Sequence, residues 1–211
     1  MDKRNLTNSP SGNDSIPDRD PETREQEGDI EPGNLADISE DYLKYLAEVT
    51  RALSRREREI QELCSLIRGA GAVHVFGFGR SGTAALAFAI RLRQFCEYLP
   101  PAWWVGDQVR MPIRERDLLV AFSKDGSRSE LAAVAYKAGQ QGAQIALISA
   151  GSNSRVGALA RLKITLPLSE MPLVYGGGDF ELAAFFFQEV LVTHLGKRMG
   201  IPEECVWRNH V

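Results

Sequence analysis

Apolar residues along this chain follow two alternating rhythms. Short, nearly unbroken apolar runs stand at Val73-His74-Val75-Phe76-Gly77, Ala102-Trp103-Trp104-Val105, Asp117-Leu118-Leu119-Val120-Ala121-Phe122, Ala143-Gln144-Ile145-Ala146-Leu147-Ile148 and Lys163-Ile164-Thr165-Leu166-Pro167. Segments with helical spacing lie among them, over residues 81–94, 127–140, 155–160 and 179–199. A strand that is apolar on both faces must be covered on both, the condition met by a parallel sheet flanked by helices. The alternation therefore predicts an α/β fold, a doubly wound five-stranded parallel sheet. Ahead of it, Leu46, Leu53, Ile60 and Ile67 recur every seven residues, with Val49 and Leu63 in the same stripe. Arg51, Arg55, Arg56, Arg58 and Glu59 occupy the other faces, so the pattern predicts one long amphipathic N-terminal helix over residues 37–70. Asp37 and Glu40 have capping-box spacing at its start. The stripe can pack on its own domain or on a second subunit, and the pattern serves both.

The first 36 residues fit neither rhythm. They carry Pro10, Pro17, Pro21 and Pro32, with nine acidic and four basic residues before Leu35 and almost nothing apolar. Such a segment cannot bury enough apolar surface to offset its ordering entropy, which predicts a disordered acidic tail over residues 1–36. The α/β domain then spans residues 71–211. With a net charge of −3 on the whole chain, the globular part keeps only a small positive excess and shows no basic stripe. That argues against nucleic-acid binding. No apolar segment follows the first basic residues, and Gln188, Glu189 and His194 interrupt the longest apolar helix, so neither a signal peptide nor a membrane span is expected. Cys64, Cys96 and Cys205 are odd in number and far apart. They predict buried thiols in a reducing, cytoplasmic setting, with neither a disulfide framework nor a metal cluster.

Two loops hold the candidate chemistry. Gly77-Phe78-Gly79-Arg80-Ser81-Gly82 and Ser123-Lys124-Asp125-Gly126-Ser127-Arg128-Ser129-Glu130 each join the end of a predicted strand to the start of a predicted helix. Backbone N–H groups and the positive helix end converge at such a corner, which suits an anion. Ligands of doubly wound sheets sit at the strands' carboxyl ends, so both loops can face one cleft. The hydroxyls of Ser123, Ser127 and Ser129 favour a phosphorylated sugar; helix capping by Ser127 or Asp125 is the simpler alternative. The first loop also satisfies the dinucleotide-binding glycine pattern. Its expected acidic partner is imperfectly placed, since Glu97 has the spacing but precedes the second strand, and Asp107 follows it after Gly106. A dinucleotide protein is thus the weaker alternative.

From Val73 to about residue 200 the chain resembles the SIS (sugar isomerase) domain family and, within it, the 6-phospho-3-hexuloisomerases. The likeness rests on Val75-Phe76-Gly77-Phe78-Gly79-Arg80-Ser81-Gly82, Ala89-Ile90-Arg91-Leu92, Asp117-Leu118-Leu119-Val120-Ala121-Phe122-Ser123 and Asp179-Phe180-Glu181. The resemblance implies a flavodoxin-like SIS fold and a cytoplasmic sugar-phosphate isomerase. That enzyme interconverts 3-hexulose 6-phosphate and fructose 6-phosphate through an enediol, without metal or cofactor, and assembles as a homodimer or homotetramer. It further implies Gly79, Arg80 and Ser81 as first-loop contacts. Ser123, Lys124, Asp125, Gly126, Ser127, Arg128 and Ser129 form the phosphate cradle, Glu181 is the catalytic base, and His210 stands near the position of a second acid. A base beside the substrate carbons is what moving a carbonyl by one carbon requires.

The chain departs from that pattern at three points. Asp125 stands where the family has a second Ser, Arg128 where it has Thr, and the Trp207-Arg208-Asn209-His210-Val211 end displaces the His by one residue. A carboxylate beside a phosphate repels it unless it turns away or is neutralised by Lys124 or Arg128. A SIS domain that senses a sugar phosphate without turnover is therefore the second reading.

Overall fold

The computed structural model describes residues 34–170 and 177–210. The predicted acidic tail lies almost wholly outside the described residues. Helices α1 (Leu35–Ser54) and α2 (Glu57–Gly69) lead into β1 (Val73–Gly77), α3 (Gly79–Gln94), β2 (Ala102–Trp104), β3 (Leu118–Phe122) and α4 (Ser129–Gln140). Next come β4 (Gln144–Ser149), α5 (Arg155–Leu159), β5 (Leu162–Thr165), α6 (Asp179–Met199) and α7 (Glu203–Arg208). The strands form one sheet in the order β2-β1-β3-β4-β5, every pairing parallel. Strand order reverses about β1, whose neighbours β2 and β3 leave in opposite directions, and a doubly wound sheet opens its ligand crevice at that point.

The apolar runs behave as their composition demands. All five residues of β1 and all five of β3 are buried. One face of the sheet is covered by α1, α2, α3 and α6, with Tyr45, Leu63, Phe88, Phe122 and Phe187 in the packed layer. The other is covered by α4 and α5, through Leu131, Ala135, Ala138 and Val156 against Leu119, Ala121 and Leu147. No helix among the described residues is long and apolar enough to cross a membrane.

Two N-terminal expectations need correction. The helix predicted as continuous over residues 37–70 is two helices, interrupted at Arg55 and Arg56, where Arg56 takes φ −113° and ψ 24°. The break lets α1 lie along α6 while α2 turns onto β5, so the stripe stays buried through Val49, Leu53, Leu63 and Ile67. Periodicity alone cannot reveal a bend that preserves the stripe. The capping box is also absent: α1 starts at Leu35, and Asp37 lies in its first turn, where a negative charge suits the positive helix end. At the other end, α7 was not expected. It is short and buries no residue, although Pro202, Glu203 and Glu204 are ordinary helix-start residues.

His74 is a structural residue. It is fully buried in β1, with Nε2 3.0 Å from Asp117 Oδ2, while Nδ1 lies buried without a partner. Burial lowers its pKa below 6.5, with Arg110 adding to the fall; the bond to Asp117 and that residue's charge act in the opposite direction. The folded state then holds its proton less tightly than the unfolded chain. The stabilisation is complete above pH 6.5 and is lost as pH falls below it. Thermal midpoints measured from neutral pH downward should show this decline, and His74→Gln, which keeps a donor for Asp117, should flatten it.

Candidate functional site

The two glycine-and-serine corners follow β1 and β3, which are adjacent in the sheet. Part of the first loop's glycine pattern is a packing requirement. A Cβ on Gly77 would stand 2.8 Å from the Phe122 carbonyl oxygen, and one on Gly82 would stand 2.7 Å from the Gly77 carbonyl oxygen. Without side chains there, α3 can start hard against the strand ends, bringing Ser81 to the crevice. Gly79 supplies the corner itself, at φ +53°. Glycines occupied in this way account for the dinucleotide-like pattern without a dinucleotide. Asp107, the acid such a site would need, instead accepts the Val109 N–H at 3.3 Å.

Both loops open onto a single cavity of about 390 Å³. Phe78 and Ser81 line it from the first loop; Ser123, Lys124, Asp125, Ser127 and Arg128 line it from the second. The loops also touch, the Arg128 guanidinium standing 4.5 Å from the centre of the Phe78 ring. Ser81 and Ser123 are each 8% exposed, so these hydroxyls sit at the cavity floor and not on open surface.

Glu181 enters from the first turn of α6. Ser81 Oγ donates to its Oε1 at 2.7 Å, joining residues a hundred positions apart. The carboxylate lies on a neighbouring hollow of about 340 Å³, bordered also by Tyr42, Arg80, Thr83 and Phe185. The Ser81–Glu181 bond is therefore the seam between the two hollows. Arg80 turns to this second side and donates from Nη1 to the Gly177 carbonyl at 2.8 Å. Of the expected first-loop contacts, Ser81 faces the main cavity, Arg80 faces its neighbour, and Gly79 serves as a hinge in the backbone.

The second loop is more internally bonded than its sequence suggested. Ser123 Oγ accepts the Gly126 N–H at 3.0 Å, and Gly126 takes φ +63° with its missing Cβ pointing at Ser154 Oγ. Asp125 accepts both the Ser127 N–H, at 3.0 Å, and the Ser127 hydroxyl, at 2.7 Å. Those bonds, first the N–H and then the hydroxyl, hold the Asp125 carboxyl below its ordinary range, with a smaller share from Ser123. Ser129 is turned away, donating to Glu130 Oε2 at 3.0 Å, and does not line the cavity. The Gly126 and Ser127 N–H groups are thus already bonded within the loop.

Within the chain His210 borders a separate hollow beside Arg91, Lys197 and Trp207, at the far ends of α3 and α6. Those helices begin at the crevice and run away from it, so whatever follows α6 emerges on the opposite side.

One contributor escaped sequence reading. The hydroxyl of Tyr45, buried in α1, lies 2.8 Å from the Pro167 carbonyl and 2.9 Å from the Asp179 carbonyl, so it ties α1 to the first residue of the helix bearing Glu181. Burial, reinforced by the charges of Asp179, Glu48 and Glu181, pushes its pKa well above the ordinary tyrosine range. It remains a neutral donor. In sequence it is an aromatic residue next to a helical stripe, which reads as core.

The parallel sheet is that of an α/β protein, and its hydroxyl- and cation-lined cavity lies at the switch-point crevice where such sheets take their ligands. Residues 66–179 match the SIS domain, and the chain belongs to the SIS domain family. Over 152 residues it is 30% identical to a 3-hexulose-6-phosphate isomerase of Methylomonas aminofaciens, covering 68% of this chain and 81% of that relative. Among solved structures it is similar to a Methanococcus jannaschii protein inferred to be a 3-hexulose-6-phosphate isomerase (TM-score 0.70, 24% identity, 81% and 98% of the two chains). It is also similar in fold to the Vibrio vulnificus NanR protein, solved with ManNAc-6P (TM-score 0.67, 18% identity, 83% and 67%).

Proposed function

We propose that this protein is a cytoplasmic sugar-phosphate isomerase of the 6-phospho-3-hexuloisomerase type, converting 3-hexulose 6-phosphate to fructose 6-phosphate. The observation that carries the reading is the 2.7 Å Ser81–Glu181 hydrogen bond at the edge of the cavity that both loops line. The substrate phosphate lies over the second loop, where Lys124 and Arg128 supply positive charge. Its reacting carbons then lie toward Ser81. Glu181 takes the proton from C2, and the electrons of that C–H bond form the C2–C3 double bond of an enediol. Returning a proton to C3 and moving the O2 proton to O3 completes the transfer of the carbonyl from C3 to C2. Nothing is oxidised or reduced overall, so no cofactor is called for. Ser81 fixes the carboxylate by holding Oε1, and the other oxygen carries the proton.

The test is direct: purified protein mixed with 3-hexulose 6-phosphate should generate fructose 6-phosphate, followed with a coupled assay. A second reading, a SIS domain that binds the sugar phosphate and does not turn it over, is favoured by one feature. Asp125 occupies the Ser127 donors, so the phosphate loop is unlike that of the isomerases. Binding without product formation would select it.

This reading includes assembly as a homodimer or homotetramer. Exposed apolar side chains on the paired helices α3 and α6 support it: Leu86 and Ile90 on the first, Phe185 and Val190 on the second. Sedimentation should give a mass of two or four chains, and Phe185→Asp together with Ile90→Asp should reduce it to one.

A further inference from the structure

Asp125 stands in the cavity where a phosphate is expected, and it does not turn away. It takes two hydrogen bonds from Ser127, one from the N–H and one from the hydroxyl. These are the donors an incoming phosphate would use, and a carboxylate has already claimed them. A dianionic phosphate cannot share them without bringing two like-charged groups together, which is strongly unfavourable at a few ångströms.

The same loop carries a compensating change. Arg128 lines the cavity with its guanidinium carbon over the Phe78 ring, 4.5 Å from the ring centre. Stacking on an aromatic face leaves the N–H edge of a guanidinium free to reach sideways. Its ionic partner Glu130 lies 3.5 Å from Nε with both side chains more than half exposed, a contact that solvent screens and a phosphate can replace. Lys124 borders the same cavity. Two cations against one carboxylate leave a net positive rim, and a guanidinium grips a phosphate through two parallel hydrogen bonds, which a hydroxyl cannot do.

We propose that Asp125 removes Ser127 from phosphate binding and transfers that contact to Arg128, with Lys124 beside it. The proposal rests on the sugar-phosphate reading of this cavity and specifies how the site grips its ligand. Ser127, which the sequence marks as a cradle residue, then serves only to hold the turn.

Calorimetric titration of the full chain with fructose 6-phosphate near neutral pH tests it. Ser127→Ala should bind within about twofold of wild type, whereas Arg128→Ala and the gentler Arg128→Gln should both weaken binding by about tenfold or more. Asp125→Asn, which removes the like charge, should tighten binding several-fold. Thermal midpoints for each variant establish that the compared proteins are folded. Loss of binding in Ser127→Ala equal to that in the Arg128 variants, or weaker binding by Asp125→Asn, overturns the proposal while leaving the sugar-phosphate site in place. If folded wild type binds neither fructose 6-phosphate nor N-acetylmannosamine 6-phosphate nor arabinose 5-phosphate, the sugar-phosphate reading itself falls and takes this proposal with it.

Discussion

Glu181→Gln should lower kcat by roughly 10²- to 10⁴-fold, the range that a positioned general base contributes. Its affinity for fructose 6-phosphate should stay within about threefold of wild type, because the side chain keeps its shape and the phosphate is held elsewhere. The split between the two readouts is what makes the variant informative. Glutamine still accepts the Ser81 hydroxyl through its carbonyl, so the bond at 2.7 Å in the native chain has a substitute and the first turn of α6 need not move. Only the capacity to take a proton is removed. A variant that lost binding and turnover together would instead mark Glu181 as a binding or structural group. Ser81→Ala should fall between wild type and Glu181→Gln, since it frees the carboxylate to wander without removing it.

Phe122→Ala should cost about 3–5 kcal/mol, the usual range for truncating a buried phenylalanine. Phe122 is fully buried at the end of β3, its ring 5.9 Å from that of Phe88 on α3. It belongs to the core layer and also borders the cavity that the two loops line. The central strand cannot close over the hole, because β3 is fixed on both sides by the β1 and β4 pairings. In a domain of this size such a loss lowers the thermal midpoint by on the order of 10 °C. Differential scanning calorimetry should report that drop, together with weaker sugar-phosphate binding, because the floor under the second loop has gone. A midpoint within a degree or two of wild type would mean that the core beneath the site is far looser than its burial indicates.

The sheet was legible in sequence because burial on both faces leaves a mark. Runs such as Leu118 to Phe122 have no polar residue to spare for solvent, and their alternation with helical segments permits few topologies. The two loops were legible for a similar reason, glycine and serine being concentrated where a strand gives way to a helix. The broken N-terminal helix was not, because the bend at Arg55 and Arg56 keeps the apolar stripe in phase. The roles inside the second loop were hidden at a finer level. Whether Asp125 faces away or bonds Ser127 depends on backbone dihedrals that Gly126 at φ +63° sets, and residue types alone do not encode them. Tyr45 was missed because its hydroxyl meets carbonyls more than a hundred residues away. The direction of α6 sets His210 at the other end of the domain within this chain, beside Arg91 and Trp207, which residue types alone do not reveal.

The most direct measurement is proton exchange on the bound sugar. Fructose 6-phosphate incubated with the protein in deuterium oxide should gain deuterium at C3, the carbon from which the reverse reaction removes a proton, and Glu181→Gln should slow the gain by roughly 10²-fold or more. Fructose 6-phosphate that binds yet emerges with no deuterium at C3, or exchange that continues undiminished in Glu181→Gln, would contradict the assignment of this cavity to enediol chemistry.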